Sequence, residues 1–270
     1  MTALPTRPQE ETARAVAKPP QREPSPRRSA VPLAVLLLVA LAGCSQDTTL
    51  HQAAKKGDVG AIKSLLSRGV PVDTADKQGR TALHLAALHG QKDVAEFLLD
   101  NGARLEAAKP GTNTALHCAA SRGHQEVADL LLTKGADLEA RNRFGMTPLQ
   151  CAVSENRKDV AALFIAKGAD VNAKNSAGLT ALHAAAEAGS QDVVGLLLAH
   201  GADVNAARED GLTPLHGAAG NDQREVAELL IKKGAKVNAR RKDGATPVSL
   251  ALGMQHPEMA ELLRAHGARD

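Results

Sequence analysis

A 33-residue period runs through most of this chain without a single insertion or deletion. Seven threonines keep the spacing: Thr48, Thr81, Thr114, Thr147, Thr180, Thr213 and Thr246. Seven glycines keep the same register: Gly69, Gly102, Gly135, Gly168, Gly201, Gly234 and Gly267. A fixed period of about 20 to 50 residues is typical of solenoids, in which each unit buries its apolar face by stacking on its neighbours. The sequence therefore predicts a stack of seven similar units.

Each unit carries the pattern of two short helices and a turn. In the second unit, residues 81–87 predict a first helix, which Gly90 ends. Residues 93–99 predict a second helix, and Gly102 ends it because glycine readily adopts the left-handed conformation that closes helices. The polar residues 103–113, with a glycine near their tip, predict a β-hairpin. The predicted fold class is an all-α repeat solenoid of helix-turn-helix units joined by β-hairpins.

The composition argues against two classes of protein. The chain has no Trp, no Tyr and only three Phe. Aromatic and β-branched residues are enriched in β-strands, and exposed rings stack the bases of single-stranded nucleic acid. The formal charge of +3 gives no reason to expect an anionic polymer either, because residues 1–43 carry six basic and three acidic side chains and leave the rest of the chain neutral. We therefore expect no β-fold and no nucleic-acid partner.

The motifs within the units resemble those of ankyrin repeats. Segments 213–216 (TPLH), 218–219 (AA) and 201–206 (GADVNA) match that family almost letter for letter. The resemblance implies seven repeats, units 1 to 7, over residues 48–80, 81–113, 114–146, 147–179, 180–212, 213–245 and 246–270. It also implies a concave surface of hairpin tips and first helices, on which members of the family bind other proteins.

Departures from the repeat pattern are local. Gln150 and Ser249 stand where other units have His, and Asn156 and Asp222 replace the glycine between the two helices. Each of these residues puts in question only its own turn or hydrogen bond.

The segment before the repeats resembles the signal peptide of a bacterial lipoprotein. Residues 30–42 form an apolar run that is too short to cross a bilayer but normal for a signal peptide. The run leads into Leu41-Ala42-Gly43-Cys44, which is similar to a lipobox and implies cleavage before Cys44 and its lipidation. Ser45 then implies the outer membrane, with the protein facing the periplasm.

We accordingly expect a lipoprotein signal peptide with a disordered basic leader in residues 1–43, and a lipidated Cys with a short tether in residues 44–47. Two alternatives remain open. One is ordinary secretion with an incidental Cys44, and the other is a twin-arginine signal, which Arg27-Arg28 loosely resembles.

Nothing in the repeats indicates catalysis or a metal site. Five histidines share one position, three residues after the Thr: His51, His84, His117, His183 and His216. Stacked helices hold such residues about 8 to 10 Å apart, whereas zinc binds nitrogens at about 2 Å. We therefore expect these rings to hydrogen-bond neighbouring turns. No HExxH element, nucleophile elbow or phosphate-binding glycine loop appears, so we predict no enzyme, no cofactor and no metal.

Two cysteines lie within the repeats. Cys118 and Cys151 occupy the same position of adjacent units, where Leu or Ala stands elsewhere. One helix spacing between their Cα atoms exceeds the limit of about 7 Å for a disulfide. We therefore predict two buried, free and unreactive thiols.

The candidate partner-binding residues centre on Phe144. This residue falls on a predicted hairpin tip, whereas the other two phenylalanines fall among leucines on second helices. Apolar residues and arginines surround it, and an apolar centre with an arginine rim is typical of interaction hot spots. The predicted set is Arg80, Leu88, His89, Arg122, Arg141, Arg143, Phe144, Met146, Leu179 and Leu212. The alternative is that the residue before each Thr is partly buried between neighbouring hairpins.

These observations favour a non-catalytic, membrane-anchored scaffold that binds a protein partner on its concave surface and is itself a monomer. An inhibitor or immunity protein against a secreted toxin or hydrolase is an alternative that shares every visible feature. An enzyme with its site in the concave groove is a remote alternative, because loops of fixed length leave no insertion in which to build that site.

Overall fold

The computed structural model describes residues 50–107 and 111–269. These residues form fourteen helices, in which a short first helix alternates with a nine-residue second helix. The first helices are α1 (50–56), α3 (Ala82–Leu88), α5 (Ala115–Arg122), α7 (Pro148–Ser154), α9 (Ala181–Glu187), α11 (Pro214–Gly220) and α13 (Pro247–Gly253). The second helices are α2 (Val59–Ser67), α4 (Lys92–Asp100), α6 (Gln125–Thr133), α8 (Lys158–Ala166), α10 (Gln191–Ala199), α12 (Arg224–Lys232) and α14 (Pro257–Ala265). The predicted all-α repeat solenoid is confirmed.

A threonine in extended conformation precedes each first helix from α3 onward and forms a capping box with the third helical residue. Before α5, the N–H of Thr114 donates to Nδ1 of His117 at 3.3 Å. Gln150 and Ser249 accept the corresponding N–H at 3.0 and 2.8 Å, so these departures from His keep the bond. The cap satisfies N–H groups that have no partner inside the helix.

The turn between the two helices of a unit needs a residue with positive φ. Glycine supplies it in four units, and Asn156, Asp222 and Gln255 supply it in the other three, with φ of 54°, 53° and 63°. Asn and Asp adopt this conformation more readily than most side chains. The departures from glycine therefore change the residue and leave the turn in place.

The core is a repeating column of leucine and alanine. The second helices each bury one large side chain in register: Leu65, Leu98, Leu131, Phe164, Leu197, Leu230 and Leu263. The first helices bury another: Leu50, Leu83, Leu116, Leu149, Leu182, Leu215 and Val248. Buried alanines between them let neighbouring helices approach closely, so each unit covers the apolar face of the next.

The predicted β-hairpins are tight turns. In the described residues no position is in a β-strand. In the fully described tips of units 1, 3, 4, 5 and 6, one backbone hydrogen bond joins the first and last residues of the turn, as from Asn142 N–H to the Met146 carbonyl at 3.1 Å and from Asn175 N–H to the Leu179 carbonyl at 2.9 Å. Two of these tips also accept a backbone N–H from the next tip.

Over residues 50–107 and 111–269, no helix combines the length and the apolar character that crossing a membrane requires. The expected signal peptide, the lipidation site Cys44 and the tether lie outside the described residues.

Candidate functional site

A groove of about 480 Å³ opens on the surface formed by the hairpin tips and the first helices, here called the inner surface. The tips contribute Gln78, Gly79, Arg80, Thr112, Asn113, Asn142, Arg143, Phe144 and Met146. The first helices and the residue after α7 contribute Leu88, Cys118, Ser121, Cys151, Ser154 and Glu155. The groove therefore draws on units 1 to 4 together.

The groove arises because the middle tip is small. Gln78, Gly111 and Phe144 stand in the same register of three successive tips. Gly111 has no side chain, and a Cβ placed on it would lie 3.9 Å from the Cα of Arg143. A gap therefore separates the larger side chains on either side.

Asn142 builds the tip that carries Phe144. It is 7% exposed, and its Oδ1 accepts the N–H groups of Phe144 and Met146 at 2.9 and 3.1 Å. Its Nδ2 donates to Oδ1 of Asn113 at 2.9 Å, which ties this tip to the preceding one. Sequence reasoning missed this residue, although Asp76 and Asn175 stand in the same register and perform the same turn closure.

Phe144 is exposed while its backbone is fixed. The ring is 54% exposed, and the guanidinium carbon of Arg143 lies 4.6 Å from its centroid. The Phe144 carbonyl accepts the N–H of Ser176, in the next unit, at 2.9 Å. A cation over an aromatic ring is attracted by the ring's quadrupole, so the tip presents an apolar group and a positive charge side by side.

The floor of the groove is apolar and contains both thiols. Leu88 and Met146 are half-buried against the core. Cys118 and Cys151 are buried and free, as predicted. Burial raises the pKa of the Cys118 thiol to about 11 and that of Cys151 to about 12, so both stay protonated at neutral pH.

Of the predicted partner-binding residues, Arg80, Leu88, Arg143, Phe144 and Met146 line the groove. Leu179 and Leu212 do not line it. Both are half-buried, and their carbonyls accept hydrogen bonds from Gln150 Nε2 at 2.9 Å and from His183 Nε2 at 3.2 Å. The residue before the Thr therefore lies partly buried between neighbouring tips, whereas the Phe144 side chain is exposed.

The remaining three predicted residues lie outside the groove lining. Arg141 donates from Nη1 to the carbonyls of Gly145 and Lys174 at 2.9 and 2.6 Å, so its side chain braces two tips. His89 and Arg122 are exposed. Partial burial and the nearby charges of Lys55 and Arg122 lower the pKa of His89.

Four of the register histidines, His51, His117, His183 and His216, hydrogen-bond neighbouring turns, as expected, and join a first helix to the tip at the end of the same unit. His117 Nε2 donates to the carbonyl of Met146 at 2.9 Å, across 29 residues, while Nδ1 serves the cap. Burial lowers the pKa of His84 to about 4 and also lowers those of His117, His183 and His216. Over the described ranges, no group of three or more His, Cys, Asp or Glu is placed to hold a metal ion.

Comparison with known proteins gives matches over most of the chain. The family model described as "Ankyrin repeats (3 copies)" matches residues 30–109, 105–175, 139–208, 164–241 and 207–270. The crystal structure of the human ASB11 ankyrin repeat domain is 28% identical, with a TM-score of 0.74, over 82% of this chain and 98% of that one. The ankyrin repeat domain of Bcl-3, a member of the IkappaB protein family, is 31% identical, with a TM-score of 0.69, over 81% and 98%. The curated proteins give no match.

Proposed function

The chain belongs to the ankyrin repeat family, whose domains generally serve as protein-interaction scaffolds, and we propose that it is a non-catalytic scaffold that captures a protein partner in the groove beside Phe144. The observation that carries this proposal is the 54% exposure of Phe144 over a groove with an apolar floor. Aromatic side chains that enter a partner's pocket are frequent binding hot spots. The partner gains apolar burial there without any rearrangement of the tip, because Asn142 and Ser176 already fix its backbone.

The proposed scaffold is exported and lipid-anchored. The support is the sequence Leu41-Ala42-Gly43-Cys44 at the end of an apolar run. With lipid on Cys44, residues 45–47 form a tether that reaches about 10 Å. Unit 1 then lies close to the membrane, and the monomeric scaffold holds its partner near the periplasmic face of the outer membrane.

Photo-crosslinking in intact cells tests the capture of a partner. A benzoylphenylalanine at position 144 is expected to give a specific adduct, which the Met146→Ala change in the same chain weakens. The same probe at position 96, exposed on α4, is the matched control and is expected to give no such adduct. An identical adduct pattern from both positions contradicts the proposal.

Metabolic labelling with a fatty acid tests the anchor. We expect label on the wild-type chain and none on a Cys44→Ser variant, which should also leave the membrane fraction. Label that persists on the variant contradicts lipidation at this residue.

A further inference from the structure

Cations dominate the inner surface around the groove. Lys55 and Lys56 end α1, Lys77 lies on the first tip, and Arg122 and Arg143 lie in unit 3. In the described part of the chain, none of these five side chains forms an ion pair with a carboxylate. Arg80 adds a sixth cation on the groove wall, where Asp76 holds it at 2.7 Å. This end of the inner surface therefore carries unneutralised positive charge, although residues 44–270 are neutral as a whole.

The cations act on a common region. The pKa of His89 is lowered by partial burial and then by the charges of Lys55, Arg122, His124 and Arg80. Those residues come from units 1 and 3, on either side of His89 in unit 2, so their fields overlap at His89, beside Leu88 of the groove floor. An anionic group placed here meets several attractive charges at once.

The sign of the charge changes beyond the groove. Glu155 forms its far wall in unit 4, and the exposed Glu187 and Glu209 follow on the inner surface of unit 5. The inner surface thus presents cations in units 1 and 3 and exposed glutamates in units 4 and 5, with the apolar groove at the boundary. A ligand of uniform negative charge would be repelled by these glutamates.

We propose that the partner presents to units 1 to 4 an acidic segment that carries one large apolar side chain. The apolar side chain enters the groove against Phe144, Leu88 and Met146, and the carboxylates before it face Lys55, Lys77 and Arg122. The acidic stretch ends at the groove, because Glu155 and Glu187 follow. This inference rests on the proposed function and adds the chemistry of the partner.

A nucleic acid fits these observations less well than a protein. Proteins that bind single strands combine a basic track with several stacking rings. Phe144 is the single exposed aromatic side chain in the described ranges, and the glutamates interrupt the track.

Selection from a random 12-residue peptide display library tests the inference on the purified full chain. We expect enriched peptides with net negative charge and one Leu, Met or aromatic residue. Fluorescence anisotropy of an enriched peptide should show about tenfold weaker binding to a Lys55→Ser/Arg122→Ser variant. A Lys232→Ser/Lys233→Ser variant, which removes two exposed cations from the end of α12, is the control and should bind as the wild type does.

The outcomes separate the two proposals. Peptides that require Phe144 but show no acidic bias leave the proposed function standing and overturn this inference. Enrichment that Phe144→Ala does not affect contradicts both. A 20-nucleotide oligouridine probe that binds as tightly as the selected peptides, and loses affinity in the Lys55→Ser/Arg122→Ser variant, overturns the inference in favour of nucleic acid.

Discussion

The guanidinium carbon of Arg143 lies 4.6 Å from the centroid of the Phe144 ring, on a tip that is bonded to the preceding unit through a side chain and to the next unit through its backbone. The two side chains are neighbours in sequence, yet the contact requires the turn that Asn142 closes. The ring remains 54% exposed despite this contact. The tip therefore presents an exposed ring beside a guanidinium, on a bonded backbone, before any partner binds.

Phe144→Ala is expected to abolish partner capture and to change Tm by no more than about 2 °C, because substitution of an exposed side chain costs little stability. Co-purification and thermal unfolding measure the two effects. Leu252→Ala is the matched control, since Leu252 is also a large exposed apolar residue, 43% exposed, but lies on α13 away from the groove. Equal loss of capture in both variants would point to general stickiness instead of a specific groove.

Asn142→Ala is expected to cost about 2 kcal/mol in unfolding free energy, because it leaves the N–H groups of Phe144 and Met146 and the Asn113 side chain without their partner. Urea unfolding measures this loss of unfolding free energy. Asn142→Asp keeps the accepting oxygen, as Asp76 does in its own tip, and should recover most of the loss. If both variants unfold like the wild type, Asn142 does not organise the tip.

Gly145→Ala and Gly244→Ala form a pair that separates backbone strain from crowding. Both positions have positive φ, 67° and 84°. A Cβ at Gly145 would meet Oγ and N of Ser176 at 2.5 and 2.7 Å, whereas a Cβ at Gly244 has nothing within 4 Å. Strain costs each variant about 1 to 2 kcal/mol, and crowding should lower the urea midpoint of Gly145→Ala further. Equal midpoints would contradict close stacking of the tips.

Stability is expected to fall as the pH drops below 6.5. Burial lowers the pKa of His84 in the folded chain to about 4, from an ordinary value of 6.5. Between pH 6.5 and pH 4 this histidine binds a proton in the unfolded chain but stays neutral in the folded chain. The shift corresponds to about 3 kcal/mol of unfolding free energy, present above pH 6.5 and lost by pH 4.

Glutamine at the same position provides the control for this pH dependence. Gln150 keeps the cap bond and donates to the carbonyl of Leu179 at 2.9 Å without titrating. His84→Gln should therefore flatten the dependence of the urea midpoint on pH between 7 and 4.5, and Gln150→His should steepen it. Unchanged slopes in both variants would assign the acid sensitivity to other groups.

The two thiols are expected to resist alkylation in the folded state. With a pKa of about 11 or 12, the reactive thiolate is about one part in a thousand or less at pH 8. Mass spectrometry after iodoacetamide treatment should find Cys118 and Cys151 unmodified until urea is added. A Ser154→Cys variant, exposed at the groove wall, should be modified at once. Rapid native labelling of Cys118 would show that the groove floor opens.

The helices were predictable from sequence because each unit's cap, apolar pattern and closing glycine are local signals. The departures Gln150 and Asn156 kept their bond and their turn because the backbone needs a hydrogen-bond acceptor or a left-handed residue there, and more than one side chain supplies it. The prediction of β-hairpins at the tips was wrong, because the sequence pattern indicates a turn but not how many backbone hydrogen bonds flank that turn. The described tips are tight turns without strands.

The groove was only partly predictable because it joins side chains from three tips. Leu179 was grouped with Phe144 because it shares the register of Met146, yet register along the chain does not show where the groove ends, and Leu179 lies outside its lining. The role of Arg141 depends on carbonyls of two different tips, Gly145 and Lys174, which no pattern along the chain brings together.

In four of the five register histidines the Nε2 bond ends on a main-chain carbonyl, and this separates architecture from surface chemistry. His51, His117, His183 and His216 are bonded to carbonyl oxygens of Arg80, Met146, Leu212 and Ala245, four residues with unrelated side chains. Every residue type has a main-chain carbonyl oxygen, so the side chain at this position can vary without loss of the hydrogen bond. Substitutions at this tip position can therefore change which partner the protein binds, one unit at a time, while the hydrogen bond that holds the tip is retained.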